Sequence, residues 1–259
     1  MLWLAVLIVL ALPTSSAAAA VTLFQNDFES PTGIIIPSGC CGDASQQNVN
    51  TLYGTSFQQT NTVETLAING PQNVYSDPDG IGGNFALGML QSVQNDLLSL
   101  TFDTTGLRFL NLSWDIAAVG IDQPVGLPST PTFLTGASTY TLTLFNTPGG
   151  VFNINSLGSF TPLDQQTVTG TAPTPDGLTF DWSHHIVALD ALGSTDGNVT
   201  LLIDLTAGGY GAFDNILIAA SDIAGEVPGA RVPEPSTLFL LATGLAAAAV
   251  AKYRGRARR

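Results

Sequence analysis

Along this chain apolar residues recur at every second position or in short unbroken runs, and turn-forming residues separate the runs. VTLFQNDFE, at residues 21–29, is the first such run after the N-terminal segment. VETLAI, NFALGML, LLSLTFD, FLNLSWDIAAV, TYTLTLFN, VFNIN, LTFDWSHHIVAL, NVTLLIDL and AFDNILIAA follow it in order. A period of two puts alternate side chains on opposite faces of an extended backbone, so each run predicts a strand. The intervening stretches include Ser76-Asp77-Pro78-Asp79-Gly80, Thr147-Pro148-Gly149-Gly150, Pro175-Asp176-Gly177 and Asp196-Gly197-Asn198. They carry Gly, Pro, Asp or Asn where tight turns need them. No stretch holds a 3.6-residue period for three turns. About ten strands over roughly 200 residues, with no low-complexity linker between them, predict an all-β fold, one antiparallel β-sandwich over residues 21–220.

The two ends break the pattern. Residues 1–20 give an apolar core from Leu2 to Leu12, a proline at 13 and a run of small residues ending at Ala20, the layout of a secretory signal peptide. Its positive charge rests on the α-amino group, because no Lys or Arg precedes the core. At the other end, Ser236 to Ala251 carries no charged side chain. As a helix it would span about 24 Å, against the roughly 30 Å of a bilayer's hydrocarbon core. Pro233 and Pro235 prevent the helix from extending backwards. A basic tail, residues 252–259, follows directly and reads as a stop-transfer signal that leaves the tail cytoplasmic and the body outside. Residues 221–231, polar and Gly/Pro-containing, read as a stalk.

The terminal segment, Val232-Pro233-Glu234-Pro235-Ser236, then an apolar stretch, then an Arg-rich end, resembles the PEP-CTERM sorting signal over about the last 28 residues. Pro233, Glu234 and Pro235 are its motif. The resemblance implies export by a Gram-negative bacterium. It also implies an exosortase-type processing enzyme as partner, a temporary inner-membrane anchor at about residues 236–251, and a later place at the cell surface or in the medium. Proteins with this signal are often associated with exopolysaccharide and biofilm. Within the body, VTLFQNDFES and GAFDNILIAA resemble the first and last strands of jelly rolls in the carbohydrate-binding-module and concanavalin-A-like group, a fold that pairs its terminal strands.

Charge sharpens the picture. Five of the seven basic residues lie in the last eight positions, and Val21 to Ala230 holds 19 acidic residues against Arg108 alone, a formal charge of −18. A body this negative repels phosphate backbones, which excludes nucleic acid as a partner and favours cations or neutral polymers.

The candidate chemistry follows from that charge. Asp27 and Glu29 on the first strand, with Asp214 and Asn215 on the last, are brought side by side by a jelly roll. Hard oxygens at a sheet edge suit calcium, and modules of the resembled group often hold a structural calcium there, so the expected ligands are Asp27, Glu29 and Asp214. Asp77, Asp79 and Asn84 sit among glycines, but without the bidentate Glu of a calcium loop they read as a turn. Adjacent Cys40 and Cys41 leave a vicinal disulfide, an intermolecular bridge and free thiols all open. His184 and His185 point to opposite faces of a strand and cannot ligate one metal from one face.

No catalytic residue is expected. The body has three glutamates, Glu29, Glu64 and Glu226, and no paired-carboxylate strand for glycoside hydrolysis. It also lacks a nucleophile elbow. Sugar binding would draw on rings among Trp114, Trp182, Tyr53, Tyr75, Tyr140 and Tyr210, although the two tryptophans also suit core packing. The expectation is an exported, non-catalytic cell-surface or extracellular-matrix protein that binds carbohydrate. The alternative is a coat or adhesive component bridged by calcium, and a polysaccharide-active enzyme ranks third.

Overall fold

The computed structural model describes residues 19–36, 43–61, 63–91, 95–120 and 136–229. Residues up to Pro228 form one compact unit, and the chain from Gly229 onward forms a second. The signal segment to residue 18, Cys40 and Cys41, the PEP motif, the apolar stretch 236–251 and the basic tail lie outside the described residues. Among the described residues no helix is long and apolar enough to cross a membrane.

The body is the expected antiparallel β-sandwich of jelly-roll type. One sheet holds β10 (Ser183–Asp190), β7 (Phe109–Ala118), β12 (Tyr210–Ser221), β5 (Phe85–Leu90), β4 (Glu64–Ala67) and β2 (Ala44–Ser45) in that order, with β1 (Val21–Asn26) also paired to β12. The other sheet runs β3 (Gln58–Thr60), β6 (Leu97–Asp103), β11 (Asn198–Ala207), β8 (Thr139–Asn146) and β9 (Thr161–Thr169). The single short helix among the described residues, α1 (Val49–Tyr53), is capped by the Asn48 side chain and ends at Gly54 in the left-handed conformation.

Alternation builds the core. Leu98, Leu100 and Phe102 of β6, Tyr140, Leu142 and Leu144 of β8 and Val199, Leu201, Ile203 and Leu205 of β11 face Leu110, Leu112, Trp114 and Ile116 of β7 and Phe213 of β12. Trp114 packs edge-on to Tyr140 at 5.0 Å and beside Phe213 at 5.8 Å. Each aromatic pair of this kind adds about 0.5–1.5 kcal/mol to the burial term.

Three sequence expectations need correction. VFNIN forms no strand: its residues pass from a single turn at Pro148–Gly150 into another at Ile154–Ser159, and Phe152 and Phe160 pack with Phe145 on the outer face of the five-stranded sheet. The run LTFDWSHHIVAL is a strand only from Ser183; Phe180 and Trp182 stack at 4.8 Å in a loop that covers part of the other sheet. The start of the supposed stalk is packed: Asn111 donates through Nδ2 to the carbonyls of Ile223 and Glu226 and accepts from the Gly225 N–H, and Val227 is buried.

Candidate functional site

The terminal strands pair as a jelly roll requires, Val21 opposite Ala220 through Asn26 opposite Ile216. β12 is longer than β1. Its second half lies against β1, whereas its first half, Tyr210 to Phe213, lies against β5. At the handover between these neighbours the register of β12 against β7 slips between Asp214 and Leu217, and Asn215 takes φ 51°. A bulge of this kind leaves backbone groups without ladder partners, and nearby carboxylate and carboxamide side chains accept from the exposed N–H groups around it.

Four side chains do so. The Asn26 carboxamide oxygen accepts the Phe28 N–H at 2.7 Å, and Asp27 Oδ1 accepts the Glu29 N–H at 3.2 Å. Phe28, fully buried at φ 51°, turns inward against Tyr53 and Phe213, which fixes Asp27 and Glu29 on either side of it. A left-handed residue other than glycine costs about 1–2 kcal/mol, so this corner stores strain that the packed ring holds in place. Glu29 then reaches the start of β5: Oε1 accepts the N–H groups of Asn84 and Phe85 at 2.8 and 3.2 Å, and Oε2 accepts Asn84 Nδ2 at 2.7 Å. Gly83, at φ 55°, lies so close that a β-carbon there would collide with the Glu29 carboxylate. Asp214 Oδ1 accepts the Asn215 N–H at 2.6 Å.

The other oxygen of Asp214 differs from the rest. Asp214 is 1% exposed, and its Oδ2 is buried with no hydrogen-bond partner. Burial pushes its carboxyl up to about 9, opposed by the Asn215 N–H and reinforced by the charges of Glu29, Asp115 and Asp27. Asp115 is the residue that sequence reasoning missed. It lies opposite Asp214 across β7 and β12 and opposite His184 across β7 and β10, so three ionisable groups share one rung. A charged side chain in the middle of an apolar run, as in LSWDI, was the available signal.

Asp115 has both oxygens engaged. Oδ1 meets His184 Nδ1 at 2.8 Å, and Oδ2 accepts Asn215 Nδ2 at 2.9 Å. His184 Nε2 lies 3.4 Å from the Ser113 hydroxyl. The order Asp–His–Ser matches an acyl-transfer triad, but Ser113 sits mid-strand, paired with Ile186 on one side and Leu217 on the other. Its N–H belongs to the ladder, whereas a serine nucleophile needs free N–H groups beside it to hold an oxyanion. His185 lies on the opposite side of β10, against the Ser183 hydroxyl, as the alternation requires.

The remaining candidates are placed as follows. Asp77 accepts the N–H groups of Gly80 and Gly82, which makes residues 77–82 a turn closed by its own carboxylate. Trp114, Trp182, Tyr75, Tyr140 and Tyr210 are buried and Tyr53 is half-buried. None of these six presents an open ring. The exposed part of the five-stranded sheet is polar instead: Thr139, Thr141, Gln165, Thr167, Thr169 and Thr206 stand on its outer face near β9. Thr139 bonds Thr169, Thr141 bonds Thr206 and Gln165 bonds Thr143, at 3.0, 3.3 and 3.0 Å. Among the described residues, no three His, Cys, Asp or Glu side chains form a ready metal-ligand group.

Beyond the sandwich, the C-terminal segment carries a sequence motif of its own. Residues 231–257 match the PEP-CTERM protein-sorting motif. The PEP-CTERM motif marks the protein as exported, as the Pro233-Glu234-Pro235 corner led one to expect. No curated protein matches the chain in sequence. Solved structures similar to it include a carbohydrate-binding module of family CBM4, at TM-score 0.36 and 11% identity over 72% of this chain and 99% of that one. A xylan-binding domain from CBM22 gives TM-score 0.37 and 11% identity over 78% and 97%. The K1 cleaved adhesin domain of Lys-gingipain from Porphyromonas gingivalis gives TM-score 0.41 and 14% identity over 77% and 98%.

Proposed function

We propose that this PEP-CTERM protein is a non-catalytic component of the cell surface or extracellular matrix. In this reading the outer face of the five-stranded sheet binds neutral polysaccharide, and calcium locks the junction of β1, β12 and β5. An exosortase-type enzyme processes the tail after a stage in which residues 236–251 anchor the chain in the inner membrane.

The observation that carries carbohydrate binding is the face formed by Thr139, Thr141, Gln165, Thr167, Thr169 and Thr206, a flat set of hydroxyl and amide groups beside the β9 edge. Such groups donate and accept without a charge to desolvate, which suits a polyol better than an ion. With the candidate rings turned into the core, recognition rests on hydrogen bonds rather than stacking. Affinity electrophoresis through gels containing neutral polysaccharides tests this. Retardation that Thr141→Val and Thr167→Val abolish supports the reading, and free migration through every gel moves the assignment to a calcium-bridged coat protein.

Calcium is supported by Asp214 Oδ2, a buried carboxylate oxygen with no partner, beside Asp27, Glu29 and Asp115. The donor set is oxygen, as calcium prefers. Glu29 and Asp27 are already tied to backbone N–H groups, so an ion there draws on Asp214 and on carbonyl oxygens as well. In its absence Asp214 holds a proton at neutral pH. Binding therefore expels that proton, and calorimetry in buffers of different ionisation enthalpy measures the release. A binding heat independent of the buffer counts against the site.

A hydrolytic role finds no support in the same carboxylates. Asp214 is too deeply buried to hand a proton to a glycosidic oxygen, and both oxygens of Asp115 are engaged.

A further inference from the structure

A second pair of acids lies apart from the junction. Glu64 opens β4, and Asp96 immediately precedes β6. Both are buried, Glu64 with 6% of its surface exposed and Asp96 with none. Glu64 lies opposite Gly88 across β4 and β5, and the Tyr210 side chain from the start of β12 reaches the same rung. A β-carbon on Gly88 would collide with the Tyr210 hydroxyl, so the glycine keeps open the notch that the hydroxyl occupies. Glu64 Oε2 and the Tyr210 hydroxyl are both buried, and neither makes a hydrogen bond of good geometry, although the hydroxyl lies near enough to the carboxyl to oppose its upward shift. Asp96 accepts the Leu90 N–H at 2.7 Å, and its charge adds to the burial that pushes the Glu64 carboxyl up to about 8. Burial, followed by the charge of Glu64, holds the Tyr210 hydroxyl well above its ordinary value.

Among the described residues no Lys or Arg side chain is free to serve as a counter-charge here. Arg108, the one cation of the body, is held by Asp190 at 2.8 Å. Buried polar atoms left unpaired cost about 1–3 kcal/mol each, and an ion or a water is their usual explanation. Two carboxylates balance a divalent ion, the protonated phenol adds a neutral oxygen, and a set made of Glu64, Asp96 and Tyr210 offers only hard oxygen donors.

We infer that Glu64, Asp96 and Tyr210 hold one hard cation in the interior of the sandwich, at a site separate from the β1–β12–β5 junction. The ion joins β4, the start of β6 and β12, and it ties the two sheets together where β4 and β5 end their ladder.

Calcium is the probe. Equilibrium dialysis of the full-length chain is expected to find two bound calcium ions, one lost in Glu64→Gln and the other in Asp214→Asn. Tyr210→Phe keeps the ring and removes the oxygen; it weakens the Glu64 ion by roughly tenfold or more and leaves the junction ion unchanged. If Glu64→Gln does not fold, Tyr210→Phe carries the test. An unchanged count in Glu64→Gln, or unchanged affinities in Tyr210→Phe, overturns the inference. A wild-type chain with one ion, lost in Asp214→Asn and kept in Glu64→Gln, overturns it and leaves the junction site standing. One ion lost in Glu64→Gln and kept in Asp214→Asn instead overturns the junction site alone, and a chain that binds none overturns both.

Discussion

The β12 junction and the outer face of the five-stranded sheet treat polar groups in opposite ways. On the outer face the ladders are continuous, so backbone groups satisfy one another and the threonines are left to pair sideways, Thr139 with Thr169 and Thr141 with Thr206. At the junction the ladder changes neighbour in mid-strand, and carboxylates accept the N–H groups that no strand claims. The difference teaches where this acidic protein needs its charges. Carboxylates at the junction are part of the backbone's hydrogen bonding, whereas hydroxyls on the face are free to meet something else.

The comparison breaks most severely at Phe28. Phe28→Ala removes the ring that pins Asp27 and Glu29 and opens a cavity beside Phe213, at an expected cost of about 3–5 kcal/mol by denaturant unfolding. A loss below about 1 kcal/mol would show that the corner holds without it.

Next comes pH. Asp214 sits at about 9 and Glu64 at about 8 in the folded chain, both above their ordinary values of 3.8 and 4.5. The folded state therefore binds more protons than the unfolded one across that interval. With chelator present, the stability these two groups contribute is fully present below about pH 4 and is lost as pH rises towards 8 or 9, with each group contributing a slope of up to about 1.4 kcal/mol per pH unit. Asp214→Asn removes its share, and calcium flattens the slope by favouring the ionised form. Melting points in chelator that rise between pH 5 and 9 would contradict both assignments.

Glu29→Ala, which strands the N–H groups of Asn84 and Phe85, should cost about 1–3 kcal/mol, with hydrogen exchange quickening at the start of β5. The smallest effect belongs to the face: Thr141→Val should alter stability by less than about 0.5 kcal/mol while reducing retention in polysaccharide gels. A large destabilisation there would mean that the threonines serve the fold as the junction acids do.

Much of the fold was legible because a buried strand announces itself. The runs that became β5, β6, β7, β8, β11 and β12 are apolar on at least one face for their full length. β9 was missed because it is a mostly exposed edge strand, TPLDQQTVT, whose polar residues and early proline read as loop. VFNIN misled in the reverse sense: its apolar residues serve a patch on the outside of a sheet. For the site, terminal-strand pairing places Asp27, Glu29 and Asp214 around one corner. Asp115 and His184 joined them through register with β7 and β10, and register between distant strands leaves no local mark in a sequence.

The pairing of β12 also bears on how the molecule carries load. A chain tethered through its C-terminus is pulled along β12, the strand that leads towards the sorting tail. β12 is not a sheet edge: β7 flanks it on one side, and β5 and then β1 flank it on the other. Tension along its axis is therefore shared as shear over many hydrogen bonds at once, where an edge strand pulled sideways would open rung by rung.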